Sequence, residues 1–166
     1  MNTIWANRSH LHDDLTTVGG LRDFLGVPAD EADLEAFLEL RQALRDLAAV
    51  ITEDTREIAQ GRDLGRAVVA VNRAARSARL WPQLTVEDGE LVRRNESEGS
   101  LADRARASIA AEAVDLFTGA NRVLLRACHA PGCVLYFVKD HPRREWCSPS
   151  CGNRVRAARH YRRNRG

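Results

Sequence analysis

The sequence has no cysteine before residue 128, only one lysine, and no long run of apolar residues. No window approaches the roughly 20 apolar residues that cross a bilayer, so we expect no membrane-spanning segment. Met1 is not followed by a signal-like segment, and this predicts a cytoplasmic protein. Glycine and proline are not enriched, and we find no repeat, low-complexity segment or long linker. The composition therefore indicates one domain, or one domain with a small appendage.

Residues 1–121 also lack the short motifs of common enzymes. They contain no phosphate-binding glycine loop, no His-Glu zinc motif and no Gly-x-Ser-x-Gly elbow. His10, His12, Asp13 and Asp14 form a small cluster that could bind a metal, although such a cluster is more often a solvated turn. We expect no enzymatic activity.

Charge is distributed unevenly along the chain. The net charge is +2, yet residues 122–166 carry ten arginines and one lysine against two acids, a balance of +9. The first 121 residues carry fourteen arginines against twenty-one acids, a balance of −7. An acidic body with a strongly basic C-terminal part suggests a polyanionic partner for that part. The preference for arginine over lysine is more typical of a GC-rich bacterial genome than of a function.

The four cysteines form two close pairs, Cys128 with Cys133 and Cys147 with Cys151. The spacings C-x4-C and C-x3-C, thirteen residues apart, suit a tetrahedral zinc site, because each pair supplies two thiolates from one turn. Two structural disulfides are the alternative, and a cytoplasmic location disfavours them.

Three histidines lie near these pairs and could replace a cysteine, but four cysteines already close the site; they are His129, His141 and His160. Pro131 and Gly132 predict a turn inside the first pair, and residues 134–138 predict a strand. Ser148 and Pro149 predict a helix start, which places Cys151 near the helix N-terminus. The predicted unit is a treble-clef-like zinc finger.

The tetrapeptide Cys151-Gly152-Asn153-Arg154, preceded by Arg143-Arg144 and Trp146-Cys147-Ser148, resembles the CGNR zinc finger, which is named for it. The resemblance covers residues 126–163. In that family of bacterial stress-induced transcription regulators, the finger follows an N-terminal helical domain called ABATE, whose ligand is unproven. The resemblance implies DNA binding, an ABATE-like domain at 1–122 as a ligand or stress sensor, and a finger at 123–166.

Apolar periodicity predicts a mostly α (α+β) fold with a helical N-terminal domain. The expected helices are 14–25, interrupted near Gly19-Gly20; Asp30 to about Gln60; 63–79; and 101–125, bent near Thr118-Gly119. Residues 84–93, with Asp88-Gly89 at the centre, predict one β-hairpin.

The resemblance makes Asn2, Thr3 and Trp5 candidates for a ligand pocket. The apolar residues that precede Asn-Thr in the family are missing here, so the family's first strand is expected to be absent or to lie upstream. Asn72, beside the apolar face of the third helix, is a further pocket candidate. A partly ordered N-terminus and a core-edge asparagine are the alternatives.

At 100° per residue, the last helix places Arg156, Arg159, His160 and Arg163 on one face with Gly152. We expect these arginines to contact nucleic-acid phosphates, together with Arg162, Arg143 and Arg144, while Gly152 leaves room for a close backbone approach. Ala157, Ala158 and Tyr161 lie opposite with Arg154. Gly152, Asn153 and Arg154 are expected to be structural, with Arg154 held by carbonyls, Asp140 or Glu145 and offsetting the negative charge of the thiolates.

The sequence thus predicts a Zn²⁺-containing transcription regulator that binds DNA through its finger and is modulated by its N-terminal domain. A zinc-finger adaptor for an acidic protein partner, or for RNA, is the alternative. For RNA, aromatic residues could stack on unpaired bases, namely Tyr136, Phe137, Trp146 and Tyr161. A small-molecule ligand is the other expected partner, and a homodimer is left open.

Overall fold

The computed structural model describes residues 2–7 and 10–164. It contains five α-helices and three two-stranded antiparallel sheets within those residues. The elements in chain order are β1 Ile4–Asn7, β2 His10–Asp13, α1 Val18–Leu25, α2 Glu31–Ile51, α3 Leu64–Ala75, β3 Arg79–Glu87, β4 Glu90–Glu98, α4 Leu101–Thr118, β5 Leu125–Ala127, β6 Tyr136–Val138 and α5 Pro149–Arg163. The predicted mostly helical fold with small hairpins is confirmed.

Three helices, α2, α3 and α4, form the main hydrophobic core. Their buried faces are rich in alanine and leucine, including Leu40, Leu44, Ala67 and Ala110. The alanines among them are small enough to let the helix backbones approach closely. α1 and the start of α4 close one end of the bundle over Leu21 and Phe37 (a second core group).

Capping residues fix the starts of the helices. Asp30 accepts a hydrogen bond from the Asp33 amide at 2.9 Å, and Asp33 bonds back to the Asp30 amide, so a capping box begins α2. Thr17 caps α1, so Gly19 and Gly20 lie in its first turn and do not interrupt it. The helix begins at Val18 instead of Asp14, so the expected interruption near Gly19-Gly20 is wrong.

α2 is shorter than predicted, and so are α3 and α4. α2 ends at Ile51, because Thr52 bonds back to the Ala48 carbonyl and Glu53 adopts a left-handed φ of 50°. Residues 52–60 then form a loop with a 3₁₀ turn at Glu57–Ala59. α4 ends at Thr118, and a 3₁₀ turn over Ala120–Leu124 leads into β5. The loop after α2 matters because it carries two residues of the metal centre's surroundings.

The predicted hairpin is present and longer than expected, since β3 and β4 pair over nine residues each. Asp88 and Gly89 both have positive φ, 50° and 84°, as the two central residues of a type I′ turn require. The N-terminal pair β1–β2 is a second hairpin that the sequence did not predict. It follows Asn2-Thr3, so the expectation about a strand before these residues stays a prediction. Among the described residues, no helix is long and apolar enough to cross a membrane.

The C-terminal elements pack on the C-terminal end of α2. Strands β5 and β6 bury Leu125, Ala127 and Tyr136 against Ala48 and Ala49 of that helix. The cysteines, Phe137 and Val155 form a separate small core beyond them. The four-cysteine cluster is therefore attached to the helical bundle through one short hairpin.

Candidate metal centre and the basic helix beside it

A tight turn positions the first cysteine pair. The Cys133 amide donates to the Ala130 carbonyl at 2.9 Å, with Pro131 and Gly132 between them and Gly132 at a φ of 70°. This is a type II turn, in which proline and glycine suit the two central positions. The Cys128 amide donates to the Leu135 carbonyl at 2.9 Å and so ties the turn to the β5–β6 hairpin.

The second pair lies at the start of α5. The Ser148 hydroxyl accepts from the Cys151 amide at 3.3 Å and caps the helix, and Pro149 occupies its first turn. Cys147 precedes the cap, and Cys151 lies in the first turn, as predicted. The N-terminal end of the helix dipole favours a thiolate at this position.

All four thiol sulfur atoms lie within 4.8 Å of one another. The Sγ atoms of Cys133 and Cys147 are 3.7 Å apart, and those of Cys147 and Cys151 are 3.4 Å apart. Zinc–sulfur bonds of about 2.3 Å in a tetrahedron put sulfur atoms about 3.8 Å apart, and a disulfide would need about 2.05 Å. The residues present therefore fit a zinc ion. None of the three histidines near the pairs belongs to the cluster in the described part of the chain.

The thiols share protons unequally. Burial and hydrogen bonds to its thiol neighbours raise the pKa of Cys147 to about 12. A hydrogen bond from Cys133 lowers the pKa of Cys128 to about 4, and the same bond raises the pKa of Cys133. Cys128 thus ionises readily, while the raised pKa values of Cys133 and Cys147 mean that these two release their protons when a cation takes their place.

Arg154 and Arg144 both contact the second pair. The Arg154 Nη2 donates to the Cys151 sulfur at 2.9 Å, and this contact raises the pKa of Arg154. Arg144 bonds Asp140 at 3.0 Å, donates to the Cys147 carbonyl at 3.1 Å and lies over the Phe137 ring. Asp140 is thus engaged by Arg144, and a cysteine sulfur is the partner of Arg154.

The expectation that Gly152 leaves room for a nucleic-acid backbone is wrong. Gly152 is buried, and a Cβ atom there would lie 3.2 Å from Cδ1 of Trp146. The glycine is needed because the indole packs directly on the helix backbone. Asn153 is exposed and accepts a hydrogen bond from Arg156.

The remaining arginines of α5 lie on its exposed side. Cys151, Val155 and Ala158 form the stripe that faces the finger, with Arg154 beside it. Beyond Ala158 the whole helix surface is exposed, including Arg159, His160, Tyr161, Arg162 and Arg163. A hollow along this part of the helix is lined by Arg156, Arg159 and Arg163. The predicted shared face is thus exposed, although Ala157 and Tyr161 are exposed as well and do not pack inward.

Sequence analysis missed two residues from the loop after α2 that contact the finger. The Asp54 side chain is fully buried and accepts hydrogen bonds from the Tyr136 hydroxyl at 2.7 Å and from Arg56. Burial alone would raise the pKa of Asp54, but the bonds from Arg56 and Tyr136 outweigh it and lower the pKa to about 2. Arg56 also donates to carbonyls of the first cysteine pair. No pattern in residues 52–60 indicates these contacts.

Two further residues connect the helical part to the finger. Arg45 of α2 is buried, donates to the Val134 carbonyl at 3.2 Å and lies near the Tyr136 ring. The side-chain amide of Asn2 donates to the Tyr136 carbonyl at 2.7 Å and accepts from the Tyr136 backbone N–H at 3.2 Å. Asn2, predicted to line a ligand pocket, here extends the edge of β6.

The other predicted pocket residues lie in two places. Thr3 accepts from Arg41 at 3.2 Å, and Trp5 donates to Asp14 at 3.0 Å while its ring stacks on His12. Asn72 is exposed in a hollow on α3 that none of the other three lines. The four residues therefore share no cavity. The expected small-molecule ligand and the homodimer stay predictions.

A different cleft, of about 660 Å³, lies between the two parts of the protein. It is lined by Leu11, by Arg56 and Ile58 of the loop after α2, and by residues 129–134 of the cysteine turn. Asp13 and Asp14 of the histidine–aspartate cluster are occupied by Arg41 and Trp5, respectively. That cluster thus takes part in contacts within the N-terminal segment and between it and α2.

Two protein families match the chain. The family ABATE, "Putative stress-induced transcription regulator", matches residues 1–120, and the CGNR zinc finger matches residues 124–164. No significant match was found among curated proteins. These matches define the class of protein, which is a helical domain of a regulator family joined to a zinc finger. The chain belongs to the ABATE family and ends in a CGNR zinc finger, as its sequence predicted, and neither family is enzymatic.

Proposed function

We propose that this protein is a DNA-binding transcription regulator without enzymatic activity, in which residues 123–166 bind the duplex and residues 1–122 modulate that binding. The observation that carries the proposal is the arginine-bearing face of α5, exposed and anchored at one end on the four-cysteine centre. A helix fixed at its start by a metal presents its side chains in a defined direction, unlike a disordered basic tail.

The shape of α5 supports this assignment. Only its first two turns are covered by the finger, through Cys151, Gly152 and Val155. The following residues extend into solvent, and an α-helix of this width fits the major groove of B-DNA. Basic residues in the last turn also interact favourably with the helix dipole, so the arginines stabilise the helix that presents them.

The arginines divide into those that are available to a ligand and those that hold the finger together. Arg159 and Arg163 are exposed, Arg162 makes only a 3.5 Å contact to its own helix, and Arg156 leans on Asn153. Arg143 is exposed as well, beside the finger's turn. Arg144 is held by Asp140 and the Cys147 carbonyl, so we assign it to the finger's own stability.

The triple variant Arg156→Ala/Arg159→Ala/Arg163→Ala tests the proposal. Each phosphate contact releases counterions, so the slope of log K against log salt should fall by about three when three contacts are removed. Fluorescence anisotropy with a mixed-sequence duplex, between about 50 and 200 mM salt, measures this slope. Zinc content should stay unchanged, because none of the three arginines contacts a cysteine.

The matched control replaces three exposed arginines outside the finger, Arg62→Ala/Arg66→Ala/Arg93→Ala. This control makes the same change in net charge and should keep most of the slope. If the finger triple variant binds duplex with wild-type affinity and slope, the DNA proposal is wrong. Loss of binding to an acidic polypeptide in that variant, with duplex binding intact, would favour the adaptor function. Tighter binding to single-stranded RNA than to duplex would favour RNA.

A further inference from the structure

Each cysteine pair is contacted by arginine, and the arginine of the first pair comes from outside the finger. The second pair has Arg154 on the Cys151 sulfur and Arg144 on the Cys147 carbonyl. The first pair has Arg56, whose Nη1 donates to the Cys128 carbonyl at 3.1 Å and to the Cys133 carbonyl at 2.9 Å. Arg56 precedes α3 in the helical part, more than seventy residues earlier in the chain.

Asp54 fixes the direction of this guanidinium. Its carboxylate accepts from Nε of Arg56 at 2.8 Å and from Nη2 at 2.6 Å, which leaves Nη1 for the cysteine carbonyls. The Tyr136 hydroxyl holds Asp54 from the other side, and the Tyr136 ring lies 5.0 Å from the guanidinium carbon of Arg56. A planar bidentate pair of this kind determines where the remaining donors point.

The two carbonyls belong to the turn that presents both sulfur atoms of the first pair. Holding both carbonyls with one nitrogen fixes the spacing of Cys128 and Cys133, in the way that outer contacts orient metal ligands generally. Four thiolates around one divalent ion also leave a net negative charge, and a partly buried guanidinium offsets some of it. The finger provides these effects at its second pair, whereas the helical part provides them at the first.

We propose that Arg56 is a positioning residue of the zinc centre, so that the affinity of the finger for zinc depends on the helical part. The proposal assumes that the four cysteines bind zinc. Coupling between two sites is reciprocal, so zinc binding should stabilise the Asp54–Arg56 loop by the same free energy. A change in the helical part that moves this loop would then be transmitted to the base of α5.

The test measures zinc affinity of the full-length chain by competition with a chromophoric chelator. Outer contacts of metal ligands typically contribute about 10- to 100-fold in affinity, and Arg56→Met should lose that much. Arg56→Lys should be intermediate, because one ammonium group cannot bond both the Asp54 carboxylate and the two carbonyls. Far-UV circular dichroism confirms that the helices are intact in each variant.

Arg56→Met also leaves Asp54 buried without its partner, which by itself can unfold a protein. The double variant Asp54→Asn/Arg56→Met removes this charge and should show the same loss of zinc affinity as Arg56→Met. Asp54→Asn alone keeps the carbonyl bonds and should lose less. Arg106→Met removes an arginine of similar exposure, which pairs with Asp103 in α4 away from the finger. This control should bind zinc within about threefold of the wild type, below the range for outer contacts.

The proposal is overturned if the double variant binds one zinc with an affinity within about threefold of the wild type. It is also overturned if Arg106→Met loses as much affinity as the Arg56 variants, since the effect would then be general destabilisation. A wild-type protein without zinc would instead contradict the assignment of the four cysteines. The two failures are therefore distinguishable.

Discussion

The helical part and the finger are each stabilised by a different kind of core. The helices bury two groups of apolar residues, made mostly of leucine and alanine with Phe37 and Val71. The finger buries three of its cysteines and partly buries Cys147, with only Ala130, Phe137 and Val155 as the buried apolar residues of that small core. A segment of about 40 residues rarely folds on its own apolar surface, and metals or disulfides commonly compensate. The contrast shows how one chain combines a self-sufficient core with a metal-dependent one.

Removal of the metal should show the difference between the two parts most clearly. Cys147→Ser should reduce the zinc content from one per chain to nearly none and unfold the finger, because structural zinc contributes about 10–16 kcal/mol in isolated fingers. Helices α1 to α4 should remain, so far-UV circular dichroism should lose only the contribution of α5. Elemental analysis and limited proteolysis measure the two effects.

His129→Ala is the matched control, since His129 lies between the two cysteines of the first pair, is exposed and is outside the cysteine cluster. It should keep its zinc. Full zinc occupancy in Cys147→Ser, or disulfides in protein prepared without oxidation, would contradict the four-cysteine assignment.

A substitution in the core of the helical part tests whether that part is stabilised independently of the finger. Leu40 is 2% exposed in the core of α2, α3 and α4, and Leu40→Ala should cost about 2–5 kcal/mol in the free energy of unfolding. Urea denaturation followed by circular dichroism measures this loss. Zinc affinity should be unchanged below the transition, because Leu40 lies far along α2 from the loop that contacts the finger. An equal loss of zinc affinity would show that the two parts fold as one unit.

Acid should act on the contact between the two parts. The pKa of Asp54 is about 2 in the folded protein, below its ordinary value of 3.8. The ionised form is thus favoured by folding, so this stabilisation is complete above about pH 4 and is lost as the pH falls toward 2. It amounts to about 2 kcal/mol. Unfolding free energies between about pH 5 and pH 2 should therefore change less in Asp54→Asn than in the wild type.

Glu39→Gln is the comparison for this measurement, because Glu39 forms a surface pair with Arg73, whose side chain is 67% exposed. Such pairs contribute about 0–1 kcal/mol. If Asp54→Asn follows the wild-type pH profile as closely as Glu39→Gln does, the buried pair does not stabilise the junction.

The features that the sequence predicted correctly are carried by neighbouring residues. Asp88-Gly89 requires positive φ values and therefore specifies its hairpin, and Ser148-Pro149 specifies the start of α5. The spacing of the two cysteine pairs predicts the four-cysteine cluster because the two members of each pair lie in one local turn. In all three cases the residues that cause the structure lie within a few positions of it.

The features that the sequence did not predict depend on contacts between distant residues. The apolar spacing predicts that α2 continues to about Gln60, since no glycine or proline occurs between Asp30 and Gly61. It ends at Ile51. The loop that follows buries Asp54 against Tyr136, a residue that lies 82 positions further along the chain. The sequence predicts that Arg144 contacts DNA. Its ion pair with Asp140 and its bond to the Cys147 carbonyl form only in the folded finger, so the sequence does not reveal them. Gly152 was assigned to an open surface because the indole of Trp146 covers it only after folding.

The β3–β4 hairpin has a consequence for solubility. It is a two-stranded sheet with both edges open, and Leu84, Val86 and Leu91 are about 70% exposed on one face. Such edges invite another strand and promote aggregation. In a hairpin closed by the pair Glu87–Glu90, the backbone nitrogen of Pro82 points away from β4, and proline has no N–H to offer. One edge therefore lacks a donor that an incoming strand would need, and charged residues at Arg93 and Glu96 make the other edge unfavourable to approach.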